Sequence, residues 1–247
     1  MKSTGLLKLI KVEFNKLKGT KSLPIFMFFP FFFFICGLMN VMKYKHIMLK
    51  NDPWGHIYEQ NAIAYGGIFF PIVTAIIIIS LTKIEFKHNN FKKIFSLPVT
   101  RGKIYFAKFI TCCLLTLTNV LIFIGFCILS AIIIIHTKQI PMYVVFSPLL
   151  AFVFSLPIMA IQYYLSIRFK NIVLPLGLAI ILIIPTMIIN ATKFWFVFPF
   201  TYPSHVIMFG TNFYTKDIPY SMILIGITTF LIFINLGANY LNKIDIR

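Results

Sequence analysis

The sequence lacks the short motifs by which proteins bind nucleotides or zinc. No Gly-x-x-x-x-Gly-Lys-Ser/Thr occurs: Gly102-Lys103 is the only Gly-Lys pair, Leu97 stands where the first glycine would be, and Ile104 follows the lysine. The chain therefore has no P-loop to hold ATP phosphates. There is no His-Glu-x-x-His, and the four cysteines include no Cys-x-x-Cys, a spacing typical of metal and redox sites. We expect no catalytic residue and no metal site.

Acidic side chains are also scarce, with six Asp and Glu against 23 Lys and Arg. None of the six falls in the middle of a long apolar run. An ion-coupled transporter usually keeps an ionisable group at membrane depth, so the scarcity argues against that class. It does not exclude it, because some symporters coordinate their ions with backbone carbonyls.

Apolar residues dominate what is present. Of the 247 residues, 59% are hydrophobic, and the mean hydropathy is +0.90. No soluble globular domain needs so many apolar residues. Several apolar runs reach the roughly 20 residues that a helix needs to cross a bilayer. The sequence therefore predicts an all-α membrane protein with a single transmembrane domain over 1–247. The net charge of +17 does not indicate nucleic acid, because the basic residues cluster at the ends of these runs.

Six spans are expected from the apolar runs. The third run would be roughly 48 Å long as a helix, against about 30 Å of hydrocarbon, so it must tilt, kink near Gly125 or extend beyond the bilayer. A polar loop is expected over 43–61, and an aromatic outer segment broken by Pro199 and Pro203 over 190–218. The spans are residues 22–42, 62–81, 104–135, 142–167, 172–189 and 218–239.

The distribution of charge predicts the orientation. We count as inner the first 21 residues, the loops after the second and fourth spans, and the tail. These segments hold 17 of the 23 basic residues, and the outer segments hold six. Positive charge beside spans favours the cytoplasmic side. Both termini are therefore expected in the cytoplasm.

The N-terminal segment, residues 1–21, contains an amphipathic helix. Leu6, Ile10 and Phe14 share one face at helical spacing, and lysines lie on the other. A basic amphipathic helix of this kind lies in the membrane interface. Glu13 falls at the edge of the apolar face, where an unpaired charge would be costly, so we expect a basic partner for it or a carboxylate that reaches back to water.

The most polar interior stretch is the loop over 83–103. Phe91, Ile94 and Phe95 can line one face of a short helix, which Leu97-Pro98 then ends, since the residue before a proline is pushed out of the helical region. One interpretation is a solvated basic loop that obeys the positive-inside pattern. The other is a helix that docks into a soluble partner and carries force to the spans.

The order of an acidic residue, a basic and aromatic helix, and Leu-Pro-Val-Thr-Arg resembles the loop after the second span in ABC-2-type ABC transporter permeases. It resembles most the branch with lantibiotic-immunity and peptide-export permeases. The elbow sequence at Glu13, Phe14 and Lys16, the exit of the fourth span, the outer Pro-Phe-Thr-Tyr-Pro and the Lys-Ile-Asp-Ile tail extend the likeness from end to end.

The resemblance implies where an ATPase subunit would touch this chain. The loop over 83–103 would be the coupling helix, with a second cytoplasmic contact at Arg168 and Lys170. The residues that it assigns to coupling are Glu85, Phe91, Ile94, Phe95, Pro98, Arg101 and Lys103.

The resemblance also implies the function. The chain would be a non-enzymatic permease subunit in a bacterial plasma membrane, paired with a second permease copy or paralogue. ATP and Mg would be bound by the separate ATPase. The cargo would be a peptide or another amphipathic molecule, as in peptide export or antimicrobial-peptide immunity. The alternatives are a secondary transporter, favoured by ion dependence, and a membrane scaffold or sensor, favoured by nucleotide-independent partner binding.

Two amides are expected within the spans, at Asn119 and Gln162. In a bilayer such side chains usually bond to a neighbouring helix. Contact with substrate is the alternative role for both.

Overall fold

The computed structural model describes residues 5–17, 22–48, 50, 52–86, 99–136, 139–169, 171–211 and 217–243. Within those ranges the chain is helical and forms no strand. The helices are α1 (Leu6–Leu17), α2 (Ser22–Lys43), α3 (Lys45–Met48), α4 (Pro53–Ala64), α5 (Phe70–Phe86), α6 (Arg101–Ile135), α7 (Met142–Arg168), α8 (Val173–Ile183), α9 (Thr186–Ile189), α10 (Tyr202–Val206) and α11 (Tyr220–Lys243).

The prediction of a polar loop over 43–61 is wrong, because most of these residues are helical. α4 begins at Pro53, where the Asp52 side chain accepts a hydrogen bond from the Gly55 N–H at 2.9 Å. An acidic N-cap followed by proline is a strong local signal for a helix start. A π-helical turn over Tyr65–Phe69 then joins α4 to α5. The second span consequently starts about nine residues earlier than the apolar run suggested.

The third apolar run forms one unbroken helix, α6, which passes through Gly125 and ends where His136 adopts a left-handed backbone with φ of 57°. The fourth run forms α7 as expected. The fifth is interrupted: α8 ends at Ile183 and α9 begins after Pro185, because proline has no N–H to continue a helix.

In the outer segment expected over 190–218, the described residues 190–211 pack onto the helices. Trp195, Phe200 and Tyr202 are buried in it. The Tyr58 hydroxyl of α4 donates to the Ile207 carbonyl. Gly66 is required at this contact, since a Cβ there would lie 2.6 Å from a methyl group of Ile207. The segment is thus a packed cap rather than a loose loop.

The core has two large layers and a smaller third cluster (Ile158, Ile183 and Phe200) around α7, which packs against α5, α6, α10 and α11. One layer includes Trp54, Tyr65 and Tyr202, and the other includes Leu17, Tyr105 and Leu241. α5, α7 and α11 end beside the second layer, and α6 begins there. We call this the basic end of the bundle, because Lys83, Arg101, Lys108 and Arg168 lie in it.

Four helices in the described part of the chain are long and apolar enough to cross a membrane: Pro53–Ile84, Arg101–Ile135, Met142–Arg168 and Tyr220–Lys243. Two shorter apolar helices, Phe28–Lys43 and Val173–Ile189, accompany them. The chain is therefore a multi-pass helical membrane protein. Six crossings and two cytoplasmic termini remain predictions.

Candidate functional site

Both ends of the stretch over 83–103, the predicted coupling loop, are helical. Its first residues belong to the end of α5, where Glu85 lies in the last turn, and Arg101 and Lys103 belong to the first turn of α6. The side chain of Lys103 is exposed, whereas that of Arg101 is half-buried. The residues Phe91, Ile94, Phe95 and Pro98 lie outside the described part of the chain.

Lys83 connects the end of α5 to the end of α7. Its ammonium group donates to the Ser166 carbonyl at 3.2 Å and to the Phe169 carbonyl. The carbonyls in the last turn of a helix have no intrahelical partner and carry partial negative charge. The lysine is only 8% exposed, so these bonds give its charge the partners that burial requires.

Arg101 makes the equivalent connection on the other side of the loop. Its guanidinium donates to the Asn242 carbonyl at 2.9 Å and to the Leu241 carbonyl at 3.4 Å. Both acceptors lie in the last turn of α11. The start of α6 is thereby fixed to the end of α11.

A buried ion pair fixes α1 to the same end of the bundle. The Lys108 ammonium lies 2.6 Å from the Glu13 carboxylate and 3.3 Å from the Leu81 carbonyl of α5. Lys16 also donates to Glu13. Glu13 and Lys108 are each 4% exposed. Burial raises the pKa of the Glu13 carboxyl, but Lys108 and Lys16 more than offset this and lower the pKa below its ordinary value.

We call Lys83, Arg101, Lys108 and Glu13 the inner clamp. Two of its members, Lys83 and Arg101, bracket the segment between α5 and α6, and each holds the end of a different span. A displacement of that segment therefore acts on α7 through Lys83 and on α11 through Arg101. The two ends of the segment are thus bonded to the ends of two other spans.

Hydroxyl groups extend these connections one layer deeper. Thr82 and Ser166 share a hydrogen bond between α5 and α7. Tyr163 donates to the Tyr105 carbonyl, and the Tyr105 hydroxyl donates to the Ile234 carbonyl, both at 2.9 Å. Gly237 leaves room for that tyrosine, because a Cβ there would lie 2.4 Å from its hydroxyl oxygen. Four helices are therefore cross-linked by polar contacts at this end.

The second predicted cytoplasmic contact is described in part. The Arg168 guanidinium lies over the Tyr240 ring, 5.4 Å from its centroid, and is exposed at the end of α7. Lys170 lies outside the described residues. In the predicted elbow, Phe14 packs against the core at the basic end, and Lys16 pairs with Glu13.

The two amides within the spans differ in their surroundings. Asn119 accepts a hydrogen bond from the Tyr65 hydroxyl at 2.6 Å, as expected for an inter-helix contact. Gln162 is fully buried, and among the residues that the structure describes neither its amide nitrogen nor its oxygen has a hydrogen-bond partner.

Sequence reasoning missed Lys83 and Lys108 as individual site residues and counted them only as inner charges. The signal for Lys108 was present, since it lies seven positions inside an otherwise apolar helix. A charge at that depth needs a partner. Among the described residues, no group of three or more His, Cys, Asp or Glu could hold a metal ion.

Comparison with known proteins identifies the family. No curated protein matches the chain. A family model described as ABC-2 family transporter protein matches residues 9–186, which run from α1 to the first residue of α9 and include all four members of the inner clamp. The matched region covers well over half of the 247 residues. The chain therefore belongs to the ABC-2 family of transporter proteins and is a permease of the ABC transporter type.

Proposed function

We propose that this chain is the membrane subunit of an ATP-driven exporter, and that a separate ATPase docks on the segment between α5 and α6. ATP and Mg bind to that partner, because the sequence has no P-loop of its own. Closure of the ATPase around ATP moves the segment, and the spans follow.

The observation that carries this proposal is that both ends of the segment are fixed to other spans. Lys83 bonds to the end of α7 and Arg101 to the end of α11. A loop whose only role is to hold positive charge in the cytoplasm needs no such bonds, because exposed lysines alone bias orientation. A loop that conveys force needs rigid attachment at both ends.

The surroundings of Glu13 argue against ion coupling through this residue. The carboxylate is paired with Lys108 and Lys16, and its pKa is lowered. A group that carries protons across a membrane must change its charge during the cycle, whereas these lysines hold Glu13 ionised. The pair is suited to holding α1 against α6.

The cargo that we propose is a peptide or another amphipathic molecule, exported or expelled from the outer leaflet. Its support is the resemblance to the lantibiotic-immunity and peptide-export branch. A second permease chain completes the membrane domain, with the assembly in a bacterial plasma membrane.

The experiment compares two variants of the segment between α5 and α6. Phe91→Ala with Phe95→Ala removes the proposed aromatic anchors, and Lys92→Ala removes a charge between them. Buried anchors typically cost at least about 2 kcal/mol each when truncated, and charges at the rim cost less. The double variant should lose the ATPase on co-purification, while Lys92→Ala keeps it.

Membrane insertion of both variants is the control. If the double phenylalanine variant keeps both ATPase and transport, the docking role is wrong. The docking role is also wrong if Lys92→Ala does more damage than the double phenylalanine variant. A loop that only sets the orientation of the chain would be more sensitive to the loss of a lysine than to the loss of phenylalanines.

A further inference from the structure

Gln162 is the one side chain in the described part of the chain that has two buried polar atoms without a hydrogen-bond partner. It lies in α7 and is fully buried. An amide in that position is costly, because it has given up its bonds to water and gained none in return. The other amide at span depth, Asn119, has Tyr65 as its partner. Gln162 therefore needs a partner that the described helices do not supply in this arrangement.

A polar pair lies one helical turn from Gln162. Side chains four positions apart are neighbours on one face of a helix, so Gln162 and Ser166 share a face of α7. Ser166 shares a hydrogen bond with Thr82 of α5, and both side chains are buried. Gln162 thus lies on the side of α7 that α5 covers.

The directions of the two helices place Gln162 on the path of a possible movement. α5 and α7 both end at the basic end of the bundle, at Phe86 and Arg168. Gln162 is therefore one turn farther from the basic end than Ser166. A shift of α5 along α7 by up to one turn, about 5.4 Å, would carry Thr82 from Ser166 to Gln162. Packed helices that have two stable arrangements make shifts of this kind.

We propose that Thr82 has two hydrogen-bonding positions on α7. The first is Ser166, as in this structure, and the second is Gln162, in another conformation of the transport cycle. The side chains suit both positions, since a hydroxyl and an amide each donate and accept hydrogen bonds. The inference rests on the proposed function, because it names the movement of the spans that closure of the ATPase would drive.

Lys83 holds the first position. It follows Thr82 in the chain, and its ammonium group donates to the Ser166 and Phe169 carbonyls at the end of α7. The shift takes Lys83 away from the Phe169 carbonyl and gives the Gln162 amide a partner. One attachment is lost and another is gained, so the two arrangements can be close in free energy. A force on the segment between α5 and α6 acts on the end of α5 and selects between them.

Replacing each amide by an apolar residue of similar size tests whether Gln162 lacks a partner. Gln162→Met removes an amide that has none, so the unfolding temperature of the chain in nanodiscs should rise by roughly 2–4 °C. Asn119→Leu is the matched control, because it removes an amide that is bonded to Tyr65 and should lower the unfolding temperature. An unfolding temperature of Gln162→Met that is unchanged or lower overturns the proposal.

Disulfide cross-linking in native membranes that contain the ATPase tests the movement, in a chain whose four cysteines are replaced by alanine. Thr82→Cys with Ser166→Cys reports the first position, and Thr82→Cys with Gln162→Cys reports the second. Thr82→Cys with Ile158→Cys is the control, since Ile158 is equally buried and lies one turn beyond Gln162. Without nucleotide the Ser166 pair should give the higher yield. Trapping the ATPase with ATP and vanadate should reverse the order of the Ser166 and Gln162 pairs and leave the control low.

The outcomes separate this inference from the proposed function. If the complex hydrolyses ATP and moves cargo but the yields do not respond to trapping, the two positions are overturned and the proposed function stands. A Gln162 pair that never exceeds the Ile158 control has the same meaning. A chain that recruits no ATPase overturns the proposed function. The unfolding temperature of Gln162→Met and the yield of the Gln162 pair above the control then decide the two positions alone.

Discussion

A buried ion pair joins the amphipathic helix α1 to the spans. Glu13 lies in α1 and Lys108 in α6, with 2.6 Å between carboxylate and ammonium. A buried pair is often no better than two apolar residues, but removing one partner leaves a charge that neither water nor protein compensates. Substitution of Glu13 alone should therefore have a very different effect on stability from substitution of Glu13 and Lys108 together.

Glu13→Gln should destabilise the chain by about 3–5 kcal/mol, because it leaves Lys108 buried without its carboxylate. Glu13→Gln combined with Lys108→Met should recover most of that loss. Lys16→Ala is the control, since the side chain of Lys16 is 25% exposed and such pairs are worth at most about 1 kcal/mol. Thermal unfolding in nanodiscs measures all three, and a harmless Glu13→Gln would show that the pair does not hold α1.

The lowered pKa of Glu13 also predicts a pH dependence. A carboxyl whose pKa is lower in the folded state adds stability above its ordinary value of 4.5 and loses it as pH falls through the folded value. Stability from this pair should therefore be constant above about pH 5 and should fall in more acid solution. A loss between pH 8 and pH 6 that disappears in the Glu13→Gln variant would contradict this assignment.

At the residue scale, the sequence predicted that Glu13 needs a basic partner but could not name Lys108, which lies 95 positions away. Pairings of that kind depend on how the helices pack, and a single sequence records no packing. Asn119 and Gln162 show the same limit: both are amides at span depth, but one is bonded to Tyr65 and the other has no partner among the described residues.

At the scale of elements, most helices were predictable from apolar runs, and the errors have local causes. The start of α4 was missed because polar residues such as His56, Glu59 and Gln60 interrupt its apolar sequence, although Asp52-Pro53 is a good start signal. The burial of the outer segment was missed because its prolines and short turns resemble a loop. Its backbone is nevertheless fixed by contacts with distant spans, such as the bond from Tyr58 to Ile207.

The inner clamp makes a prediction at this scale. Lys83→Met and Arg101→Met remove the attachments of the segment between α5 and α6 to α7 and α11. Cations at helix C-termini contribute about 0.3–2 kcal/mol each, so both variants should fold. We expect them to retain the ATPase but to transport less cargo per ATP hydrolysed.

The control for the clamp is Lys243→Met, which removes an exposed lysine from the same end of the bundle. In proteoliposomes that contain both subunits, the Lys243→Met variant should transport as much cargo per ATP hydrolysed as the unaltered chain. Normal coupling in the double variant Lys83→Met/Arg101→Met would show that the segment transmits no force through these residues.

At the scale of the whole molecule, composition was enough to predict an all-helical, multi-pass membrane protein. The order of weak motifs along the chain was enough to suggest the ABC-2 permease family, to which residues 9–186 belong. The inner clamp could not have been predicted in the same way. It depends on four helix ends that meet in space, and its outermost members, Glu13 and Lys108, are 95 positions apart in the sequence.

We propose that a separate ATPase drives this permease. The most direct measurement is purification of the tagged chain from its native membrane, followed by identification of its partners and an assay of ATP hydrolysis with and without them. We expect a P-loop ATPase to co-purify, the complex to hydrolyse ATP, and the isolated chain to hydrolyse none. Specific hydrolysis by the isolated chain that survives contaminant controls would contradict it, as would cargo movement that follows an ion gradient and needs no nucleotide.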